Sequence, residues 1–461
     1  MTLSHESMNT KDTIIAPVTP PGEGGVSIVR LSGPSSYYLL EHYFSPTGSV
    51  EKFSSHRLYH GKLKDDNGAI IDEVLAVYMA APRTYTCDDV VEIHCHGSRH
   101  IVRIILDLFQ RAGVRLAQPG EFTYRAFLNG RIDLTQAEAV ARLIHSSSES
   151  SRKLALSQVD GGLSQKIYYF QRAVKKLLVL VEAWIDFPEE DIPGTDIQQI
   201  RYGVAALVEE VGRITSTYSY GRILSEGLSV LLVGKPNVGK SSLLNFILGE
   251  ERAIVTDIPG TTRDIIEEGI VIHDIPVRIF DTAGLRNSDD PVEMEGIRRA
   301  QKKISEVDLV LLLVDSSRPL DQADLDALDV CRQYPCVVVK TKGDLDTCHH
   351  NYDFSQFTCL SVSAKTGAGI KELINYIYEY FINDPSSVSD SVLLAERRHY
   401  ESLISSLANL KKALQLIGQD EFLEFIAFEL REALFYLGQI TGETTTEDLL
   451  GEIFSGFCIG K

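Results

Sequence analysis

The sequence lacks any apolar run long enough to cross a membrane. Its longest apolar stretches, LSVLLVG and VDLVLLLVD, fall far short of the roughly 20 residues that a transmembrane helix needs. The opening residues MTLSHESMNTKD also lack the apolar segment of a secretion signal. These absences predict a cytoplasmic protein with no membrane partner.

Cysteine is scarce and unpatterned. Seven cysteines, an odd number without a CxxC pair, indicate neither a disulfide framework nor a zinc knuckle: Cys87, Cys95, Cys331, Cys336, Cys348, Cys359 and Cys458. His94 and His96 flank Cys95 and could suggest a metal site. Because successive side chains of a strand point to opposite faces, we interpret these residues mainly as packing.

Basic residues are also in deficit. Lys plus Arg number 45 against 64 Asp plus Glu, which gives a net charge of −19. Surfaces that coat nucleic acid are basic, so the composition predicts no DNA partner. Any RNA contact is expected to be local or shared with a partner protein.

The hydrophobic pattern divides the 461 residues into four segments. Residues 1–130 alternate strand-like runs with turns, which predicts a mixed α/β domain. Residues 131–225 and 384–461 have helical periodicity. Residues 226–383 carry short apolar strands separated by helix-length segments, which is typical of a doubly wound parallel sheet. We therefore expect an α/β plus all-α protein in which the third segment is inserted between two halves of a helical domain, in preference to a linear series of domains.

The inserted segment contains a phosphate-binding loop. The sequence GKPNVGKS, from Gly234 to Ser241, follows the apolar strand LSVLLV and precedes the helix-like SSLLNFIL. This setting aims backbone N–H groups and a helix N-terminus at an anion. Lys240 is then expected on the outer phosphates and Ser241 on Mg²⁺.

Four further motifs follow in the order found in GTPases. GTTRD supplies Thr262 as a second Mg²⁺ ligand, and DTAG supplies Asp281 near the metal and the N–H of Gly284 for the γ-phosphate. TKGD, from Thr341 to Asp344, and SAK, from Ser363 to Lys365, lie at later strand ends where the base should bind. The motifs predict a GTP hydrolase.

Asp344 is predicted to select guanine. A carboxylate accepts from both N1–H and N2–H₂ of guanine, a pair that adenine does not offer. GTPases generally have Asn at the first position of this tetrad, where this chain has Thr341. Its shorter hydroxyl predicts weaker guanine affinity with preserved selectivity.

The residue after DTAG cannot orient water. Leu285 stands where many regulatory GTPases have a glutamine. Another group must therefore orient the attacking water, and the segment NSDDPVEMEG offers four carboxylates: Asp289, Asp290, Glu293 and Glu295. Such a run is more often a solvated face, so the residues alone do not select one of them.

The motifs GKPNVGKSS, AIVTDIPGTTRD, DTAGLR and the ending FCIGK closely resemble the MnmE (TrmE) family of bacterial tRNA modification GTPases, within the TrmE-Era-EngA-like group. Three N-terminal stretches, PPGEGGVSIVRLSG, EIHCHGS and PGEFTYRAFLNGRIDL, resemble that family's N-terminal domain. The resemblance thus covers essentially the whole chain. The G motifs alone occur in many GTPases, whereas the ending and the N-terminal stretches are more specific.

The resemblance implies a potassium-activated GTPase that acts as a homodimer with the flavoprotein MnmG, in a heterotetramer or larger complex. Its substrate would be certain tRNAs, modified at C5 of the wobble uridine with a carboxymethylaminomethyl or aminomethyl group. The one-carbon donor would be 5,10-methylenetetrahydrofolate or 5-formyltetrahydrofolate. The N-terminal domain would bind folate and mediate dimerisation.

The resemblance also implies residue roles. Asn237 would hold K⁺ together with main-chain oxygens of Thr256, Ile258 and Thr261, and Glu293 would orient the attacking water. The GTP site would comprise five groups of residues: Asn237, Val238, Gly239, Lys240, Ser241 and Ser242; Thr256, Asp257, Ile258, Pro259, Gly260, Thr261 and Thr262; Asp281, Thr282, Ala283 and Gly284; Thr341, Lys342 and Asp344; and Ser363, Ala364 and Lys365.

The implied folate contacts are Arg30, Glu92, Arg131 and the terminal Lys461. Lysine is also known in the family at the position of Arg131. From the residues alone, each is more simply a surface or inter-strand charge. Arginines suit a glutamate tail or a pterin carbonyl, and Glu92 suits the paired N–H donors of a pterin ring.

Cys458 is the implied catalytic thiol. We expect it on a flexible tail that follows a helix begun by a TTTE capping box, Thr444 to Glu447. It could equally be an idle exposed cysteine, and the CIGK ending is a poor match to a prenylation box. A competing hypothesis for the whole chain is a GTP-dependent binding switch, such as a ribosome-assembly factor, that performs no covalent chemistry on RNA.

Overall fold

The computed structural model describes residues 11–186, 197–250, 252–254, 266–281, 304, 306–345, 352–381, 392–417 and 423–460. The chain divides into two compact units, one of Met1–Ala141, Val159–Gln171 and Leu434–Lys461, the other of Arg142–Gln158 and Arg172–Ala433. These units differ from the predicted domains, whose boundaries separate strand-rich segments from helical ones. The predicted boundaries stay a prediction.

The first unit contains a sheet of seven strands in the order β3-β4-β5-β6-β2-β1-β7. Its strands are β1 (Ile14–Pro17), β2 (Gly24–Ser32), β3 (Phe44–Pro46), β4 (Arg57–Lys64), β5 (Ile70–Met79), β6 (Val90–Gly97) and β7 (Arg115–Leu116). All pairs are antiparallel except β1 with β7. The strand-like runs predicted in residues 1–130 are confirmed as β1, β2, β4, β5 and β6, whereas the short strands β3 and β7 were not predicted.

Alternation along the central strands separates the core face from a polar face. On β6, Val91, Ile93 and Cys95 are almost completely buried and join the core of the unit. Because side chains alternate, Glu92 and His94 lie on the other face of the sheet. The same alternation on β2 puts Val29 and Leu31 in the core and leaves Arg30 opposite Glu92.

Helices of the first unit are α1 (Ser36–Tyr43), α2 (Arg99–Arg111), α3 (Glu121–Leu128), most of α4 (Leu134–His145) and α14 (Glu447–Ser455). Ser98 caps α2, because its side chain accepts from the N–H of His100. Helix α3 is fixed by the buried pair Arg125 and Glu121, whose Nη2 and Oε1 lie 3.0 Å apart. Asp12 accepts from the same guanidinium at 2.7 Å.

A second seven-stranded sheet has the order β14-β13-β12-β8-β11-β10-β9. Its strands are β8 (Leu228–Val233), β9 (Arg252–Ile254), β10 (Ile266–Ile272), β11 (Ile275–Asp281), β12 (Leu309–Asp315), β13 (Cys336–Thr341) and β14 (Thr358–Ser361). The five strands from β14 to β11 are parallel, as predicted, with an antiparallel edge of β10 and β9 that the sequence analysis did not predict.

The remaining described helices are α5 (Glu149–Val159), α6 (Gly162–Asp186), α7 (Ile197–Ser216), α8 (Tyr218–Glu226), α9 (Lys240–Glu250), α10 (Gln322–Cys331), α11 (Ile370–Phe381), α12 (Arg397–Ile417) and α13 (Leu423–Thr441). The first residues of α6 and the last residues of α13 belong to the first unit. Helix α7, which precedes the sheet in sequence, packs against α12, which follows it. Within the described ranges, no helix combines the length and apolarity that crossing a membrane requires.

Helix α5 receives its N-terminal cap from a distant hairpin. The turn between β10 and β11 contains His273 and Asp274, both at positive φ. Oδ1 of Asp274 accepts from the N–H of Glu149 at 2.8 Å, and the hydroxyl of Ser150 donates to Oδ2. Leu154 of the same helix joins the hydrophobic core of the second sheet.

Helix α14 does not begin with the predicted capping box. Its N-cap residue is Thr446, which makes no side-chain cap hydrogen bond. The hydroxyl of Thr444 donates to the carbonyl of Phe435 at 2.9 Å, and Thr445 donates to Gln439 at 3.3 Å. Carbonyls near the end of α13 therefore compete for the hydroxyls that the pattern assigned to a cap.

Candidate functional site

The loop between β8 and α9 has the backbone shape of an anion cradle. Gly234 has a φ of 151°, and a Cβ there would lie 2.7 Å from the carbonyl oxygen of Leu313. Asn237 and Gly239 also have positive φ, at 61° and 108°. Together these conformations turn the loop sharply into α9, which begins at Lys240.

Lys240 is held by the loop that it follows. Its Nζ donates to the carbonyls of Gly234 at 2.6 Å and of Lys235 at 2.7 Å, and the residue is only 7% exposed. The predicted Mg²⁺ ligand Ser241 lies next in the first turn of α9. The geometry thus brings the ammonium group and a hydroxyl to the helix N-terminus where phosphates would bind.

Lys235 ties the same loop to α10. Its Nζ lies 2.6 Å from Oδ2 of Asp324 and also pairs with Asp321, the N-cap residue of α10. Although burial alone lowers the pKa of Lys235, the hydrogen bonds from these two carboxylates raise it above its usual value. The sequence analysis did not identify this tether, because α10 lies more than eighty residues downstream.

Thr341 joins the base-reading loop to the phosphate loop. Its hydroxyl lies 2.6 Å from the carbonyl oxygen of Val238 and 3.2 Å from that of Val314, and the residue is buried. The shorter hydroxyl therefore still reaches the neighbouring loop. The expectation of weaker guanine affinity stays a prediction.

Asp344 and Ser363 bring the two base-reading loops together. The hydroxyl of Ser363 donates to Oδ1 of Asp344 at 2.7 Å. This hydrogen bond is the main cause that holds the pKa of Asp344 below its usual value, so the carboxylate is ionised near neutral pH. Lys342 donates to Oδ2 of Asp315 at 2.6 Å, which fixes the loop from its other side. Ala364 and Lys365 continue from Ser363.

Several predicted residues lie outside the described part of the chain. They are Thr256, Asp257, Ile258, Pro259, Gly260, Thr261, Thr262, Thr282, Ala283, Gly284, Glu293 and Lys461. Asp281 ends β11, and its backbone lies in register with Leu232 of β8. The strand thus ends beside the phosphate loop.

We predict that Thr341→Val weakens GTP affinity about tenfold, because it leaves the buried carbonyl of Val238 without its donor. Fluorescence titration with a labelled nucleotide measures this change. Thr358→Val, at the start of β14, is a matched control, because the exposed hydroxyl of Thr358 accepts from the hydroxyl of Tyr376 at 3.2 Å and lies in another part of the sheet. Equal affinities for wild type and Thr341→Val would contradict the assigned role.

The implied folate residues meet on the polar face of the first sheet. Arg30 donates through Nε to Oε1 of Glu92 at 2.8 Å, and its Nη2 lies 2.7 Å from the same oxygen. The guanidinium carbons of Arg30 and Arg131 lie 5.8 and 5.0 Å from the ring centre of Tyr85. Two of the predicted side chains therefore lie against one aromatic ring, and the third, Glu92, is paired with Arg30.

Tyr85 lies among the predicted folate residues and was not identified from the sequence, and His94, which we interpreted mainly as packing, lies beside Glu92. The hydroxyl of Tyr85 hydrogen bonds with that of Thr123 at 2.9 Å, which fixes the ring against α3. Nε2 of His94 lies 3.6 Å from the second carboxylate oxygen of Glu92. His96 pairs instead with Asp72 at 2.7 Å. Nowhere in the described ranges do three or more His, Cys, Asp or Glu side chains form a group suited to a metal.

The C-terminal segment is packed, contrary to the expectation of a flexible tail. The rings of Phe454 and Phe457 lie 5.2 Å apart, and the N–H of Gly120 donates to the carbonyl of Cys458 at 3.4 Å. Gly460 has a φ of 93°, and a Cβ there would lie 2.2 Å from the carbonyl oxygen of Pro17. The exposed thiol of Cys458 thus has a defined backbone position.

This packing brings the tail towards the same part of the first sheet as Arg30. Pro17, which Gly460 contacts, pairs with Val29 of β2, one residue before Arg30. No local sequence signal places the last residues beside β1. Only tertiary structure relates the tail to the group around Tyr85.

Comparison with known proteins covers nearly the whole chain. A family model described as "GTP-binding protein TrmE N-terminus" matches residues 13–131, and one described as "MnmE helical domain" matches residues 134–458. The tRNA modification GTPase MnmE of Syntrophotalea carbinolica is 51% identical over 456 residues, 98% of this chain and 100% of that protein. The protein of the same name from Geobacter sulfurreducens is 46% identical over 457 residues, 98% and 100% of the two chains.

Among solved structures, the G domain of the FeoB iron transporter of T. maritima is similar to part of the chain. It is 25% identical and covers 33% of this chain and 98% of that chain, with a TM-score of 0.26.

Proposed function

The chain belongs to the MnmE (TrmE) family, and from that membership we propose that it is a GTP-hydrolysing enzyme of tRNA modification. The observation that carries this proposal is the hydroxyl of Thr341, which joins the phosphate loop at Val238 to the loop that bears Asp344. A strand-loop-helix cradle for phosphates and an ionised carboxylate for guanine are thereby coupled in one site.

The finer reaction that we propose is the addition of a carboxymethylaminomethyl or aminomethyl group at C5 of the wobble uridine. The protein would act with the flavoprotein MnmG and use 5,10-methylenetetrahydrofolate or 5-formyltetrahydrofolate as the one-carbon source. Support comes from the first sheet, where Arg30 and Arg131 lie against the ring of Tyr85 and Glu92 pairs with Arg30. Lys461 follows Gly460, which contacts Pro17, and would reach this group.

In the GTPase site, Ser241 and Thr262 would hold Mg²⁺, which bridges the outer phosphates and offsets their charge. Asn237 would hold K⁺ with main-chain oxygens of Thr256, Ile258 and Thr261. The αL backbone at Asn237 supports this role, because it places an exposed amide at the sharp bend of the phosphate loop. A monovalent cation there would stabilise transition-state charge as an arginine finger does.

We predict faster GTP hydrolysis in potassium than in sodium, because Na⁺ is too small for oxygens set at potassium distance. Asn237→Gly should remove the difference between the two salts, and glycine keeps the positive φ of 61° without strain. Hydrolysis rates at equal ionic strength measure the effect. If the wild-type rates are equal in the two salts and dimerisation of the G domains is verified, the proposal of a potassium site is wrong.

We predict that Glu293→Ala slows hydrolysis on the order of a hundredfold and leaves nucleotide affinity nearly unchanged, because a water-orienting group acts mainly in the transition state. Single-turnover rates and GTP titrations separate the two quantities. Asp289→Ala and Asp290→Ala are the matched controls. A large effect in either control, and none in Glu293→Ala, would show that the alignment after DTAG is wrong.

The proposed assembly is a cytoplasmic homodimer that joins MnmG in a heterotetramer or larger complex and acts on tRNA. The net charge of −19 favours a shared RNA site, since this chain lacks a basic excess of its own. The proposed organisation retains a folate-binding domain at 1–130, helical parts at 131–225 and 384–461, and a G domain at 226–383.

The competing function, a ribosome-assembly switch, performs no covalent chemistry. Mass analysis of tRNA nucleosides from a strain that lacks this protein separates the two hypotheses. Loss of the C5 modification on wobble uridines is the expected result, with restoration by the wild-type chain as control. If the wobble uridines are unchanged, the proposed modification is wrong. The assignment of GTP hydrolysis would not be affected by that result.

A further inference from the structure

A cavity of about 460 Å³ lies in the first unit beside the group around Tyr85. It is formed by the loop that follows β5, the turn between α3 and α4, and the residue before β4. The polar residues that line it include His56, Arg83, Tyr85, Asn129 and Arg131. Arg83 has no part in the roles proposed above.

The charge of this cavity is opposite to that of the protein. Two arginines and a histidine line it, and none of its described lining residues is an acid, although the chain carries a net charge of −19. The cavity is therefore an electrostatic site for an anion.

The acids nearest to Arg83 and Arg131 in the sequence are Asp88, Asp89 and Asp133, and each contacts another group. Oδ1 of Asp133 accepts from the hydroxyl of Thr135 at 2.7 Å and from the N–H of Gln136 at 3.0 Å. Oδ1 of Asp89 accepts from the hydroxyl of Tyr78 at 3.0 Å and from the N–H of Ala81 at 2.9 Å. Oδ2 of Asp88 lies 3.9 Å from Nη1 of Arg125. Among the described residues, none of these three carboxylates forms an ion pair with Arg83 or Arg131.

Arg131 is held in position for a ligand. Its Nη1 donates to the carbonyl of Thr84 at 2.9 Å, and its guanidinium lies over the ring of Tyr85. A guanidinium has five N–H donors, and this single bond to a neutral carbonyl leaves its charge uncompensated. Fixing the group in advance lowers the entropy cost of binding an anion.

The site around Tyr85 thus has two ends of different character. At one end, Arg30 is paired with Glu92, so that end is electrically neutral and rich in hydrogen-bonding groups. At the other end, Arg131 and Arg83 provide charge without a carboxylate partner in the cavity. A ligand that fits both ends has a neutral polar ring and an anionic tail.

We infer that this cavity receives the glutamate tail of folate and that Arg83 makes the protein prefer folates with several glutamates. The inference rests on the folate part of the proposed function. It assigns a ligand role to Arg83, with the pterin ring at Arg30 and Glu92 and the first glutamate at Arg131. Each added glutamate brings another carboxylate to the exposed cation at the rim.

The test is calorimetric titration of the full chain with 5-formyltetrahydrofolate that carries either one or three glutamates. Wild type should bind the triglutamate about tenfold more tightly, the factor expected from one charge-assisted contact at a partly exposed site. Arg83→Gln should lose this preference and keep the monoglutamate affinity. Arg103→Gln, which removes the same charge from the exposed face of α2, is the matched control and should retain the preference.

The outcomes separate this inference from the proposed function. If wild type binds neither folate, the folate role itself is wrong, and the inference falls with it. If wild type binds both with equal affinity, only the inference is wrong. If Arg103→Gln also loses the preference, the preference comes from general attraction between the protein's basic surface groups and the anionic glutamates. That result would overturn the role of the cavity. If Arg83→Gln keeps the preference and weakens tRNA binding instead, the cavity is a site for RNA phosphate, and the inference is also wrong.

Discussion

Cys458→Ser is expected to abolish tRNA modification in the presence of the partner flavoprotein while GTP hydrolysis continues at the wild-type rate. The thiolate is the strongest nucleophile near the end of the chain, and serine removes that reactivity with little change in shape. The tail should stay in place, because Gly120 bonds to the main-chain carbonyl of residue 458. The phosphate loop should be unaffected, because it belongs to the second sheet and the tail packs on the first unit.

This prediction needs two measurements on the same preparation. Nucleoside mass analysis gives the yield of modified uridine, and phosphate release gives the rate of GTP hydrolysis. Cys359→Ser, in β14 of the second sheet, is the matched control for the loss of a thiol and should retain both activities. Wild-type modification by the Cys458→Ser protein would show that the tail thiol is idle and that the chemistry lies with the flavoprotein or the folate site.

Asp344→Asn is expected to change the nucleotide-base preference of the protein from guanine to xanthine. The amide keeps one oxygen that can accept from N1–H, but it places an NH₂ donor where the second carboxylate oxygen faced guanine N2–H₂. That NH₂ can donate to the oxygen that xanthine has at C2. Loss of one charge-assisted hydrogen bond and the contact of two donors cost roughly 3 kcal/mol, which corresponds to about a hundredfold weaker GTP binding. Ser363 still has an oxygen acceptor at residue 344, so the two base-reading loops should stay joined.

Competition titrations with GTP and xanthosine triphosphate measure this exchange. Asp329→Asn removes the same charge from the exposed face of α10, where Asp329 is 69% exposed and 3.4 Å from Arg332, and it should leave both affinities unchanged. Full guanine preference in Asp344→Asn would show that TKGD does not read the base.

Local patterns predicted the parts of the fold whose signals lie within one segment. The phosphate loop was identified because the apolar strand, the glycines and the helix are contiguous in residues 228–250. The parallel strands β12 and β13 are continuous apolar runs, as expected for strands buried on both faces. Strand β10 was missed because IEEGIVI interrupts its apolar residues with two glutamates and a glycine.

Features that depend on distant residues were not predictable. The role of Tyr85 follows from α3 and from two arginines about a hundred residues apart, and nothing within TYTCDD indicates it. The capping box failed because Thr444 bonds to Phe435 of the preceding helix. The position of the tail depends on a turn at Gly120 and on the end of β1. In each case, the deciding partner lies outside the window that a sequence pattern can examine.

The cap on α5 makes the formation of a short helix a long-range event. Asp274 and Glu149 are separated by 125 residues, so this contact raises the contact order of a segment that is otherwise local. A helix of 11 residues is marginal when isolated in water. We therefore expect its first turn to complete only after β10 and β11 have paired, so that α5 forms after the sheet that it precedes in the sequence.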